Sequence, residues 1–120
     1  LNFIVEHFNI GLVEGVLRQR LLITILKEVL QDEFGVDVRR SGDDLFVEDK
    51  KLSVSIATKS ITSVLIHTGI NIDATGAPVA AIGLNSIGVD DVEKFTNLVI
   101  NRYSEEINDI ILASTKVSGR

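Results

Sequence analysis

The stretch Arg39-Arg40-Ser41-Gly42-Asp43-Asp44-Leu45-Phe46-Val47-Glu48-Asp49-Lys50-Lys51-Leu52-Ser53 sets cations and carboxylates around a hairpin. A lysine at the start of a strand can point its ammonium over a sheet at an anion. Such a cation stabilises a carboxylate or phosphate whose charge grows during reaction. The same run also reads as a solvated hairpin tip, where exposed charges only keep a turn soluble. Asp43-Asp44 offers oxygen ligands to a divalent cation, and adjacent carboxylates are equally plain turn chemistry. His67 lies between Ile66 and Thr68. It is either a structural histidine or, on the side of Lys51, a hydrogen-bonding group or base. His7 beside Phe8 reads as structural. Glu14 and Arg18 read as an i,i+4 ion pair on a solvated face. Ser41, Ser53 and Ser55 have no base partner in sequence, which argues against a serine nucleophile.

These residues need elements to hold them. Phe3 to Phe8 reads as a short strand, and Asn9 as the cap of the next segment. From there to Phe34 the apolar spacing is helical, through Val13, Val16, Leu17, Leu21, Leu22, Ile25, Leu26, Val29 and Leu30. Gly35 supplies a left-handed stop. Val36 to Arg40 alternates, Ser41-Gly42-Asp43 turns, Leu45-Phe46-Val47 is extended, and Glu48-Asp49-Lys50 turns again. Lys51 to Thr58 alternates, with Leu52, Val54 and Ile56 on one face and Ser53, Ser55 and Ala57 on the other. Ile61 to Ile72 opposes Val64, Ile66, Thr68 and Ile70 to Leu65, His67 and Gly69. The pattern predicts an antiparallel meander. A proline-bearing loop, 73–78, and a brief extended segment, 79–84, lead to Asp90 and Glu93, which read as a capping box. Val92, Phe95, Val99, Tyr103, Ile107, Ile110 and Ile111 mark a second long helix. Residues 115–120 read as a frayed tail. Helix, strands, helix is the order of an α+β domain: an antiparallel sheet with two long helices packed on it.

Composition narrows the function. With 120 residues the chain holds one domain, 1–120. Twelve Lys+Arg against 17 Asp+Glu give a net charge of -5. That argues against nucleic acid bound over a broad surface, since phosphate neutralisation needs clustered cations. There is no cysteine, so no disulfide, no thiol nucleophile and no thiolate metal site. Two histidines would have to borrow carboxylates to hold zinc, and no metal site is assigned. No apolar run approaches the roughly 18 uncharged residues of a membrane span. The expected setting is the cytoplasm, with no membrane partner. The chain contains no methionine and opens Leu1-Asn2-Phe3. Long antiparallel strands offer an edge through which two copies could join, so a homodimer is a further expectation.

Read as a pattern, the charged run resembles the signature of biotin protein ligases. There a Lys-Trp-Pro-Asn-Asp-Leu segment leads through a hairpin to Lys-Lys-hydrophobic-Ala-Gly. Asp43-Asp44-Leu45 falls on Asn-Asp-Leu, and Lys50-Lys51-Leu52-Ser53 on Lys-Lys-hydrophobic-Ala. Gly69-Ile70-Asn71-Ile72 falls on a Gly-Ile-Asn-Val strand at an agreeing distance. More closely, the chain resembles an archaeal family of uncharacterised proteins. That family is grouped with the biotin/lipoate ligases, a superfamily related in fold to class II aminoacyl-tRNA synthetases. The resemblance covers the second half of such a core. It implies that 1–120 is the larger C-terminal part of a ligase-like domain without its N-terminal segment. It implies catalytic roles for Lys51, against the acid's carboxylate and the adenylate phosphate, and for Asp44, near the incoming amine or a metal. It implies ligand contacts from Arg40 and Asn71, with Gly69 on the matched strand, and ATP and magnesium as cofactors; Asp43 and His67 join the candidate ligand contacts from their own chemistry. A small carboxylic acid or nucleotide would be the partner. The departures are Ser41-Gly42 for Trp-Pro, Val54 and His67 for glycines, and no Gly-Arg-Gly-Arg phosphate loop. They leave open a non-catalytic binding or homo-oligomerisation module on the same fold.

Overall fold

The computed structural model describes residues 1–77 and 79–118. Strand β1 (Asn2–Phe8) enters helix α1 (Leu12–Phe34). Three short strands follow: β2 (Arg39–Ser41), β3 (Asp44–Val47) and β4 (Lys50–Lys51). The hairpin β5 (Ser53–Lys59) and β6 (Ser63–Ile70) comes next, then a single 3-10 turn at Leu84–Ile87 and helix α2 (Val92–Ser118). One antiparallel sheet has the order β1-β6-β5 and a second the order β2-β3-β4. The expected α+β class, antiparallel strands carrying two long helices, is what the chain adopts.

Alternation decides the faces. In β6, Val64, Ile66, Thr68 and Ile70 are buried, while Leu65 and His67 are exposed. Helix α1 buries Leu22, Ile23, Ile25, Leu26, Val29 and Leu30 in the core it forms with the sheet and with α2. Helix α2 adds Phe95, Val99 and Tyr103, spaced four apart, to the same core. Gly15 lets α1 close on β6, since a Cβ there would lie 2.4 Å from the Val64 side chain. Gly35, at φ 66°, ends α1 in the left-handed conformation, as the sequence predicts.

Several local expectations shift. Gly11, not Asn9, caps α1; Asn9 sits at φ 61°, where its N–H bonds the Thr62 carbonyl. At α2 the cap is Asp91 rather than Asp90: its carboxylate accepts from the Lys94 N–H at 2.9 Å. Residues 115–118 continue α2 instead of fraying, and the rest of the expected tail lies outside the described residues. The long alternating strand from Lys51 breaks at Leu52. Leu52 is fully buried, whereas Val54 and Ile56 are 58% and 59% exposed. Leu52 instead ties the two sheets together: its N–H bonds the Leu45 carbonyl, and its carbonyl accepts from Asn71. Past this bend, β5 turns its serines inward and its aliphatic residues out. Ser55 meets Thr68 at 2.8 Å and receives Gln19 Nε2 at 2.8 Å, so the inward hydroxyls are satisfied.

Candidate functional site

Lys51 is held by main chain on both sides. It pairs with Phe46 of β3. Its N–H bonds the Ala80 carbonyl at 3.1 Å, and its carbonyl accepts from Ile82 at 3.0 Å. Asn71, just past β6, locks this junction. Its Nδ2 donates to the carbonyls of both Lys51 and Ile82, each at 3.2 Å. The backbone under Lys51 is therefore fixed while its ammonium stays half in solvent, where it pairs with Asp44 at 3.4 Å. A partly exposed pair of this kind, at 3.4 Å, contributes about 0–1 kcal/mol. An incoming anion can displace Asp44 from Lys51 at little cost.

Lys51 and Asn71 line one cavity of about 370 Å³, with Val54 on one wall and residues 73–77 on another. Gly69 lies directly across the sheet from Val54, but does not itself line the cavity. His67 follows two residues away on the same outer face, hydrogen-bonded to Asn2 Oδ1 at 3.1 Å. The structure thus places Lys51 beside Asp44 and Asn71, while Gly69 lies opposite Val54 with His67 next along the sheet. Val54, which stands where the ligase pattern has glycine, is a wall of the cavity. The sequence pattern flagged Val54 only as a bulky replacement.

Two expected members turn elsewhere. Arg40 donates to the Gly42 carbonyl at 2.7 Å, closing its own turn. Asp43 receives Gln19 Nε2 at 3.4 Å, toward α1. Asp43 and Asp44 therefore diverge and do not present paired oxygens to one ion. Among the described residues no group of three or more His, Asp or Glu is placed to hold a metal.

A second polar cluster links β1 to both helices. Arg18 donates to Glu14 at 2.7 Å and to His7 Nδ1 at 2.9 Å. His7 Nε2 meets Tyr103 Oη at 2.7 Å. The expected Glu14–Arg18 pair is present, but the links across to His7 and Tyr103 had no signal in the sequence. Burial and the Arg18 guanidinium hold His7 below its ordinary pKa, against a smaller upward pull from Glu14. Burial pushes Tyr103 up to about 12, with Arg18 acting slightly the other way. Below pH 6.5 the unfolded chain binds a proton that folded His7 refuses. Stability therefore falls as pH drops through and below about 6.5, toward the lowered folded-state value, and this contribution is constant well above that. Thermal melts at stepped pH should show the slope in the wild type and a flatter profile in His7→Gln. Equal slopes would contradict the assignment.

Comparison with known proteins places these features. A family model described as "Domain of unknown function (DUF366)" matches residues 1–118. An uncharacterised protein of Methanocaldococcus jannaschii is 46% identical over 92% of this chain and 50% of its own length. The chain spans about half the length of that curated relative. A solved protein of unknown function from Pyrococcus horikoshi superposes with TM-score 0.87 at 37% identity, over 96% of this chain and 62% of the other. A biotin protein ligase from Aquifex aeolicus, solved with biotin and ATP, gives TM-score 0.69 at 17% identity, over 89% and 50%. A T. acidophilum protein with a provisional lipoate-ligase name, solved with lipoic acid bound, gives TM-score 0.69 at 16% identity, over 89% and 51%. At such identities the last two likenesses establish the fold. No helix among the described residues is long and apolar enough to cross a membrane.

Proposed function

The chain belongs to the DUF366 family, and on that footing we propose that the Lys51 cavity binds a small carboxylic acid or its adenylate, with Lys51 as the anchoring cation. The observation that carries the reading is the convergence of Lys51 and Asn71 on one cavity, with the Lys51 ammonium held only by a 3.4 Å pair with Asp44. A rigid main chain under a mobile cation suits a carboxylate: the position is set, and the charge is available. Asn71 Nδ2 is spent on main-chain carbonyls, so its part is to position Lys51. Gly69 lets a ligand approach the sheet beside Val54, and His67 offers a hydrogen bond farther out. The solved relatives of this fold that hold biotin with ATP, or lipoic acid, support the choice of ligand class. The setting that goes with ATP and such acids is the cytoplasm.

Isothermal titration with biotin and lipoate, each with and without ATP, tests this. Saturable binding of one acid is expected, weakened about ten-fold or more in Lys51→Ala, since a charge-assisted hydrogen bond is lost. The variant should lose no more than about 1 kcal/mol of stability, because the pair it removes is partly solvent-exposed. Equal affinity in Lys51→Ala would remove Lys51 from the site.

A second reading, a homo-oligomerisation module, draws on the apolar outer face of the sheet. Ile4 is 65% exposed, and Val54 and Ile56 nearly as much. Light scattering separates the readings: a monomer favours the ligand site, and a dimer that buries Ile4 and Ile56 favours the module.

A further inference from the structure

Beside β1, on the side away from β6, a cavity of about 550 Å³ opens between the strand and α2. It is distinct from the Lys51 cavity and shares no lining residue with it. Its volume lies within the usual range for small-molecule sites. Phe3, Leu22, Val99 and Ile107 give it apolar walls, and among the described residues no charged side chain lines it.

The hydrogen-bond directions at its wall are fixed by chemistry. A guanidinium only donates. With Arg18 Nη1 at 2.9 Å, His7 Nδ1 must accept, so the imidazole proton sits on Nε2. Nε2 therefore donates to Tyr103 Oη at 2.7 Å. The Tyr103 hydroxyl hydrogen then has no acceptor among the described residues. Yet Tyr103 is only 6% exposed and lines the cavity. A buried donor without a partner is costly and is normally satisfied. A phenol keeps that proton at neutral pH in any case, and burial raises its pKa further.

A complementary group lies across the cavity. Leu1 and Ile70 exchange main-chain hydrogen bonds, and the β1–β6 register is antiparallel. Odd residues of β1 therefore bond β6, and the N–H and C=O of Ile4 point away from β6, to the edge that no described strand pairs with. Ile4 lines the cavity too.

The geometry points to a binding site for an uncharged, largely apolar molecule bearing a carboxamide. Its carbonyl oxygen accepts from Tyr103 Oη, and its N–H meets the Ile4 edge. A carboxylate is disfavoured, because it would be desolvated with no cation on the cavity wall.

Cyclohexanecarboxamide and cyclohexanecarboxylate are matched probes. Titration of the 15N-labelled chain with the amide should give saturable shifts at Ile4, Val99 and Tyr103, with a Kd on the order of 1 mM for so small a molecule. The carboxylate should bind at least about ten-fold more weakly, and Tyr103→Phe should weaken amide binding about five-fold. No saturable shift at these residues would overturn the proposal. So would equal binding of the two probes, which needs no variant. Unchanged amide affinity in a folded Tyr103→Phe would do the same.

Discussion

Phe95→Ala is expected to lower stability by about 3–5 kcal/mol, the cost of emptying a fully packed aromatic site. Phe95 has no exposed surface and meets Phe34 edge-on, with ring centroids 5.9 Å apart. It is the point where α2 locks onto the end of α1. Truncation removes its own burial, the ring contact and the packing of Phe34 together. Domains of this size are held by only about 5–15 kcal/mol, so the loss is a large share of the total. Urea unfolding checks it: the midpoint should fall steeply with little change in slope. A loss below about 1.5 kcal/mol would mean that the two helices can close over the gap. The Lys51 cavity lies outside this contact. Residual folded Phe95→Ala protein should therefore respond to biotin or lipoate as the wild type does.

Gly83→Ala is the second large effect, and it behaves differently. A Cβ at this position would lie 2.3 Å from the Ile72 carbonyl oxygen and 2.9 Å from the Asp73 nitrogen. Neither neighbour is a side chain that can swing away. The Ile72 carbonyl accepts from Asn85, and the Asn71 carbonyl from Leu84, so both strands of main chain are pinned. Relief requires the 72–73 and 83–85 segments to separate, at a cost of about 3 kcal/mol. The Asn71 amide that holds Lys51 bridges this same junction to Ile82. Gly83→Ala should therefore lose affinity at the Lys51 cavity as well as stability. A variant that melts like the wild type would show that the segments part freely. A variant that melts early yet binds normally would detach Lys51 from the Asn71 junction.

The contrast between these two positions shows what could be read from sequence. Phe95 was visible, because apolar spacing along a helix reports directly which residues face the core. The inner face of β6 and the Gly35 stop were visible for the same kind of local reason. Gly83 carried no signal, because what forbids a side chain there is main chain eleven residues away. The Leu52 bend was hidden by an alternation that continues unbroken in the letters. Only the switch from pairing with Leu45 to pairing with Asn71 shows that the strand turns. At the candidate site, Lys51, Asp44 and Asn71 were singled out by pattern, and the fold gathers them at one junction. The pattern could not show that the Asn71 amide is spent on main chain, nor that Arg40 and Asp43 are tied elsewhere. The His7–Tyr103 link joins residues 96 positions apart, beyond the reach of any local spacing rule.

The most direct measurement for the Lys51 cavity is a backbone and side-chain shift map of the 15N-labelled chain titrated with lipoate or biotin, read at Lys51, Gly69 and Asn71. A carboxylate anchored on Lys51 predicts saturable shifts centred on these three residues, spreading to Val54 and Thr75 and leaving Arg40 still. Shifts centred elsewhere, or no saturation with either acid in the presence of ATP, would contradict the account.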